Sequence, residues 1–146
     1  MGIDVSDDLR RQVAARAYRV CEYCLVHEDD LFNHCEVDHV ISIKHGGPTV
    51  LENLANACLY CNRHKGTDVG SVAHETGAFV RFFNPRADRW ADHFYISAGR
   101  IVSTGEMGEV TSRILGFNHP DRVLFRRLFA DAGRYSTVEA LARMKE

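Results

Sequence analysis

At 146 residues, with 45% hydrophobic and 26% charged content, the chain has the make-up of one globular domain, or of a small module with an extension. No run approaches the roughly 18 apolar residues that span a bilayer, and the opening MGIDVSDDLRRQ has no apolar signal core. A membrane partner is therefore not expected, and a cytoplasmic location is. The net charge of −2 does not advertise nucleic-acid binding. It is unevenly spread: residues 1–80 hold seven Lys and Arg against twelve Asp and Glu, and residues 81–134 hold nine Arg against six acids. That split fits a metal site beside a phosphate-contacting surface, although charge alone favours the plainer reading of an uneven solvated face.

Gly2 follows Met1, as myristoylation requires, with no other sign of an anchor. Ser6, Asp7 and Asp8 make a good helix start, a capping hydroxyl followed by acids at the positive end of the dipole. Leu9, Val13 and Ala17 repeat at helical spacing, which predicts a helix over 7–18. A C-x-x-C knuckle, Cys21/Cys24, and the turn-prone HEDDLFNH come next. EVDHVISI, residues 36–43, reads as the start of a bent hairpin, and Gly46-Gly47-Pro48 as a loop. Residues 50–57 read as a short helix or turn leading to a second knuckle, Cys58/Cys61. A helix ended by Gly66 is expected from Asn62.

Past Gly70 the texture changes. FYIS and RIVS around Ala98-Gly99 predict a β-hairpin. Residues 108–115 read as helical. A helix over 120–132 has Pro120 in its first turn and Leu124, Phe125, Leu128, Phe129 and Ala132 as its apolar side, leaving Arg122 and Arg126 on the opposite, solvent face. A last helix spans 136–145 behind Ser136, with Glu139 in capping-box position. The expected division is residues 1–70 as a core and 71–146 as an extension packed on it as one unit.

Five cysteines in a chain with no export signal argue against a disulfide framework. Two C-x-x-C pairs enclosing 33 residues, Leu25 to Ala57, suit one tetrahedral zinc ion better than two separate redox dithiols. Such a site is structural, because four protein ligands leave no open position. Cys35 stands apart and is expected to act as a small buried hydrophobe.

The ordered set CEYC, EVDHVISIKHGG and ENLANACLYCNRHKG, from Cys21 to Gly66, resembles the HNH nuclease family in a stand-alone bacterial form. The runs KGTDVG, ETG, FNPRADRWADHF and RIVSTGEMGEVTSRILGFN resemble a recurrent extension of such proteins. The resemblance implies an α+β fold: a ββα-metal core with a structural zinc knuckle pair, then a β-hairpin and C-terminal helices packed on it. It implies an endonuclease that hydrolyses DNA phosphodiesters with one Mg²⁺ or Mn²⁺ ion, leaving 5′-phosphate and 3′-OH ends. Cutting both strands then requires a homodimer or two successive nicks.

In that scheme His39, neutral near pH 7, takes the proton of the attacking water. Asp38 offers a hard oxygen to the divalent ion and Asn62 an amide oxygen. Neighbouring residues of an extended segment face opposite ways, so the hairpin must bend for Asp38 and His39 to share a site. Asn53 is expected to bond the backbone of the Gly-Gly loop and so position His39. Lys44, His45, His64, Lys65, Arg86 and Arg89 are candidate phosphate contacts. Phe82, Phe83 and Trp90 among Arg81, Arg86 and Arg89 suit either base stacking or a core rimmed by arginines. A non-catalytic zinc module that binds nucleic acid is the alternative, and it has no need of Asp38, His39 and Asn62 together.

Overall fold

The computed structural model describes residues 5–146; Gly2, the residue of the myristoylation reading, lies outside them. Helix α1 runs Asp7–Arg16, with the Ser6 hydroxyl accepting from the Leu9 amide. It stops two residues before the expected end because Tyr18 and Arg19 turn to positive φ (54° and 60°) and aim the chain into the first knuckle. Strand β1, Glu36–His39, pairs antiparallel with β2, Leu54–Ala57, with Glu36 opposite Ala57 and His39 opposite Leu54. Helix α2, Leu59–Lys65, follows directly and ends at Gly66. These elements form the expected ββα unit.

Strand β2 corrects the reading of 50–57 as a helix or turn. A single 3₁₀ turn covers Leu51–Asn53, and the strand comes after it. All four residues of Leu-Ala-Asn-Ala are buried, so the strand has no solvent face to create alternation.

The second half begins with a short hairpin not anticipated from the sequence, β3 (Gly70–Val72) with β4 (Phe79–Arg81). Its strands are three residues each, too short to establish a period. The hairpin of β5 (Phe94–Ser97) and β6 (Arg100–Ser103) forms where expected, with Ala98 and Gly99 both at positive φ (50° and 81°) as a tight two-residue turn requires. Helices α3 (Glu106–Leu115), α4 (Pro120–Asp131) and α5 (Val138–Lys145) complete the chain. Thr137 rather than Ser136 caps α5, accepting from the Ala140 amide, so Glu139 does not fall at the capping-box position. Among the described residues no helix is long and apolar enough to cross a membrane.

One hydrophobic core joins the halves, running from Cys21, Tyr23 and Leu25 through Phe83, Trp90 and Phe94 to Phe117 and Tyr135. The Trp90 indole donates to the Tyr23 carbonyl (2.9 Å), and the Tyr135 hydroxyl donates to that of Cys24 (2.9 Å). Phe82, Phe83 and Trp90 are buried, which decides for core over base stacking.

Helix α4 is turned around relative to its apolar periodicity. Leu124, Phe125 and Leu128 are 50–52% exposed, whereas Arg122 and Arg126 are 9% and 1% exposed. The reason is the set of carbonyls left over where α3 ends and at the β5–β6 turn. Arg122 donates to the Leu115 carbonyl (2.9 Å), and Arg126 donates to those of Phe117 and Gly99 (2.7 Å to the latter). A guanidinium fork reaches such scattered acceptors, and no aliphatic side chain can. Leu124→Ser should therefore change stability by less than about 1 kcal/mol, where a core leucine would cost 2–5. Arg126→Leu should cost about 2–3 kcal/mol by leaving buried carbonyls unpaired. Urea titration of the two variants checks the order.

Candidate active site and metal centre

The two knuckles meet. The Sγ atoms of Cys21, Cys24, Cys58 and Cys61 all lie within 4.8 Å of one another, and all four residues are buried. Each C-x-x-C turn closes on itself, the Cys24 amide reaching Cys21 Sγ (3.5 Å) and the Cys61 amide reaching Cys58 Sγ (3.4 Å). Across the pairs, Cys24 and Cys58 sulfurs are 3.7 Å apart. Four thiolates on one zinc at about 2.3 Å place neighbouring sulfurs about 3.8 Å apart, so the donor set fits a tetrahedral ion. Cys35 stays outside the cluster, half-buried, its thiol pushed up by burial.

Asp38 and His39 leave β1 on opposite faces. Asp38 is 3% exposed and faces α2. Its Oδ2 accepts from the Tyr23 hydroxyl (2.7 Å) and its Oδ1 from the Lys65 ammonium (3.2 Å). Burial raises the Asp38 pKa, and the Lys65 charge pulls it back. Lys65 also donates to the His39 carbonyl (3.0 Å), tying α2 to the end of β1. The His39 ring is half-buried, with Nε2 2.9 Å from the Thr49 hydroxyl. Burial lowers its pKa more than the Asp38 charge raises it, which favours the neutral imidazole.

Asn62 donates its amide hydrogen to the Glu36 carboxylate (2.5 Å). A carboxylate only accepts, so the amide nitrogen must face it and the amide oxygen must point away. Sequence reading did not single out Glu36 or Tyr23. Glu36 was nevertheless signalled, two residues before Asp38 on a strand and so on the same face. Lys65, one helical turn after Asn62, looks at that face from α2.

Asn53 clips the loop between the strands. Its Oδ1 accepts from the Ile41 amide, and its Nδ2 donates to the carbonyls of Ile41 and Pro48, each at 2.9 Å. Gly47 lies under this clip, where a Cβ would come 1.7 Å from the Ile41 carbonyl oxygen and 2.8 Å from Asn53 Nδ2. Gly47→Ala should cost about 3 kcal/mol, because backbone and clip must separate to admit the methyl. Chemical denaturation measures this, and an unchanged midpoint would refute the packing argument.

The candidate phosphate contacts divide. Lys44 and His45 are exposed on a 3₁₀ turn of the same loop. His64 is exposed and stacked on Tyr60, with ring centroids 4.0 Å apart. Arg89 is half-exposed and bound to Asp92 (3.0 Å) and the Lys145 carbonyl (3.2 Å). Two placements correct the expectation of surface cations. Lys65 is buried on Asp38, and Arg86 is drawn inward to the buried Glu22 of the first knuckle (2.6 Å), where Arg143 also approaches (3.8 Å). In both cases a buried carboxylate far along the chain takes up the charge that solvent would otherwise hold.

Residues 21–68, which carry the ββα unit with adjacent Asp38 and His39, the Asn53-clipped glycine loop and the Cys61-Asn62 junction, match the model of the HNH endonuclease family. These residues form an HNH domain. The chain is also similar to Septu protein PtuB of Bacillus thuringiensis, at 27% identity over 129 residues that cover 86% of this chain and 47% of PtuB. It thus spans about half the length of the curated relative it matches. No solved structure matches it.

Proposed function

We propose that the chain is a metal-dependent DNA endonuclease, with residues 1–70 as its nuclease core, residues 71–146 as the extension that braces it, and the four cysteines holding structural zinc. What supports the reading best is the match of residues 21–68 to the HNH endonuclease family, together with a half-buried His39 whose burial favours the neutral imidazole. His39 accepts the proton of a water whose oxygen forms the new bond to phosphorus. The bond to the 3′ oxygen breaks, that oxygen leaves as a 3′-OH once protonated, and the phosphate stays on the 5′ end.

Mg²⁺ or Mn²⁺, when bound, supplies Lewis-acid stabilisation of the phosphate and the leaving oxygen. Asp38 and Asn62 are the residues that would hold it. Asp38 would have to exchange its Lys65 partner for the ion to ligate it, whereas the Asn62 amide oxygen is aimed away from Glu36 and suits a hard cation. Glu36 thereby acts as the positioning residue for Asn62, and Thr49 and the Asn53 clip hold His39 and its loop. Lys44, His45, His64 and Arg89 are the candidate side chains left to contact the DNA backbone.

Incubation of purified protein with supercoiled plasmid and Mg²⁺ or Mn²⁺ tests this. Open-circle product should form, carry 5′-phosphate and 3′-OH ends, and vanish with a chelator. Absence of cleavage of plasmid, single-stranded and branched DNA with either ion would overturn the proposal.

A further inference from the structure

Arg122 and Arg126 of α4 have no carboxylate partner among the described residues, although they are deeply buried. Arg126 bonds carbonyls and the Asn118 amide oxygen. Arg122 bonds the Leu115 carbonyl, and its other nitrogen donates to Cys61 Sγ at 3.1 Å and lies 3.9 Å from Cys58 Sγ. The same guanidinium lies over the Tyr60 ring, 4.1 Å from its centroid, so the second knuckle holds it from two sides. Burying an unneutralised cation costs several kcal/mol, and two on one helix face compound the cost. Neutral thiols would offer no relief. Four thiolates on a divalent ion carry two net negative charges, and Arg122 and Arg126 carry two positive ones.

We propose that α4 supplies the counter-charge of the four-cysteine metal centre. Arg122 is a positioning residue that hydrogen-bonds the Cys61 thiolate, and metal retention and docking of the C-terminal helices are one event. This rests on the zinc reading above and goes beyond it, because it places part of the metal centre in the extension. The remaining contacts agree. Arg86 and Arg143 reach Glu22, Trp90 reaches the Tyr23 carbonyl and Tyr135 that of Cys24, so the extension engages every residue from Glu22 to Cys24. Hydrogen bonds from outside the ligand set tune metal affinity, typically by 10–100-fold when lost.

Metal content, chelator competition and the absorption of the Co²⁺-substituted protein should be compared in wild type, Arg122→Met, Arg122→Lys and the exposed control Arg127→Ala. Arg122→Met should lower metal affinity at least about 10-fold. It should also move the thiolate-to-cobalt charge-transfer band to longer wavelength, because the sulfur lone pair loses its hydrogen bond. Arg122→Lys should fall between, and Arg127→Ala should match wild type. Wild-type affinity with an unshifted band in Arg122→Met would overturn the proposal while leaving the zinc reading intact. A wild-type protein that binds neither zinc nor cobalt would overturn both. If Arg122→Met does not fold, limited proteolysis of wild type decides: stripping the metal should expose residues 71–146 to cleavage, and continued protection would refute the coupling.

Discussion

His39→Ala should reduce plasmid nicking about 10²–10⁴-fold, the usual contribution of a positioned general base. The fold should survive. The ring is half-buried, its polar contact is to the Thr49 hydroxyl, and the backbone bond from Lys65 to residue 39 uses the carbonyl, which alanine keeps. The loss should appear in the rate of the chemical step at saturating metal, with DNA binding changed little. Circular dichroism and metal content matching wild type would confirm that only chemistry was touched. A variant that nicks at the wild-type rate would remove His39 from the mechanism.

Cys58→Ser should lose both the zinc and most of the stability. Structural zinc sites contribute apparent binding energies of about 10–16 kcal/mol, as large as the whole stability of a typical domain. This substitution isolates the ligand role. Cys58 is also the N-cap of α2, its sulfur accepting from the Cys61 amide, and serine is among the best N-caps, so the helix start is preserved while the thiolate is removed. Wild-type protein should carry about one zinc per chain, and the variant close to none, with a thermal transition lowered by tens of degrees or abolished. A zinc-free variant that melts like wild type would refute a structural ion at this cluster.

What was legible in the sequence is what local chemistry writes within a few residues. The knuckles come from C-x-x-C spacing, the β5–β6 hairpin from Ala98-Gly99, and the start of α1 from Ser6-Asp7-Asp8. The cysteine cluster could be anticipated because four thiols want a single ion wherever they lie in the chain. The misreadings share a physical cause, the partner that sits far away. Lys65 and Arg86 looked like surface cations until Asp38 and Glu22, at separations of 27 and 64 residues, were placed against them. The periodicity of helix α4 reads as conventionally amphipathic because it gives no weight to two guanidinium groups, that of Arg122 on the Leu115 carbonyl and Cys61 sulfur and that of Arg126 on the Phe117 carbonyl. Strand β2 was hidden by its own burial on both faces. Glu36 lies within reach of the alternation argument, but its role depends on Asn62, 26 residues away, which bonds it.

The way the extension closes over the first knuckle also bears on the order of events at the ribosome. All four thiols precede Trp90, Arg122 and Tyr135, which cover them, and so leave the ribosome first. At about 5–20 residues per second the centre stands open for several seconds before its lid is synthesised. On the zinc reading, an ion that arrives in that interval meets an uncovered centre. On the same reading, exchange after it requires lifting the C-terminal helices, and the metal first captured is the metal kept.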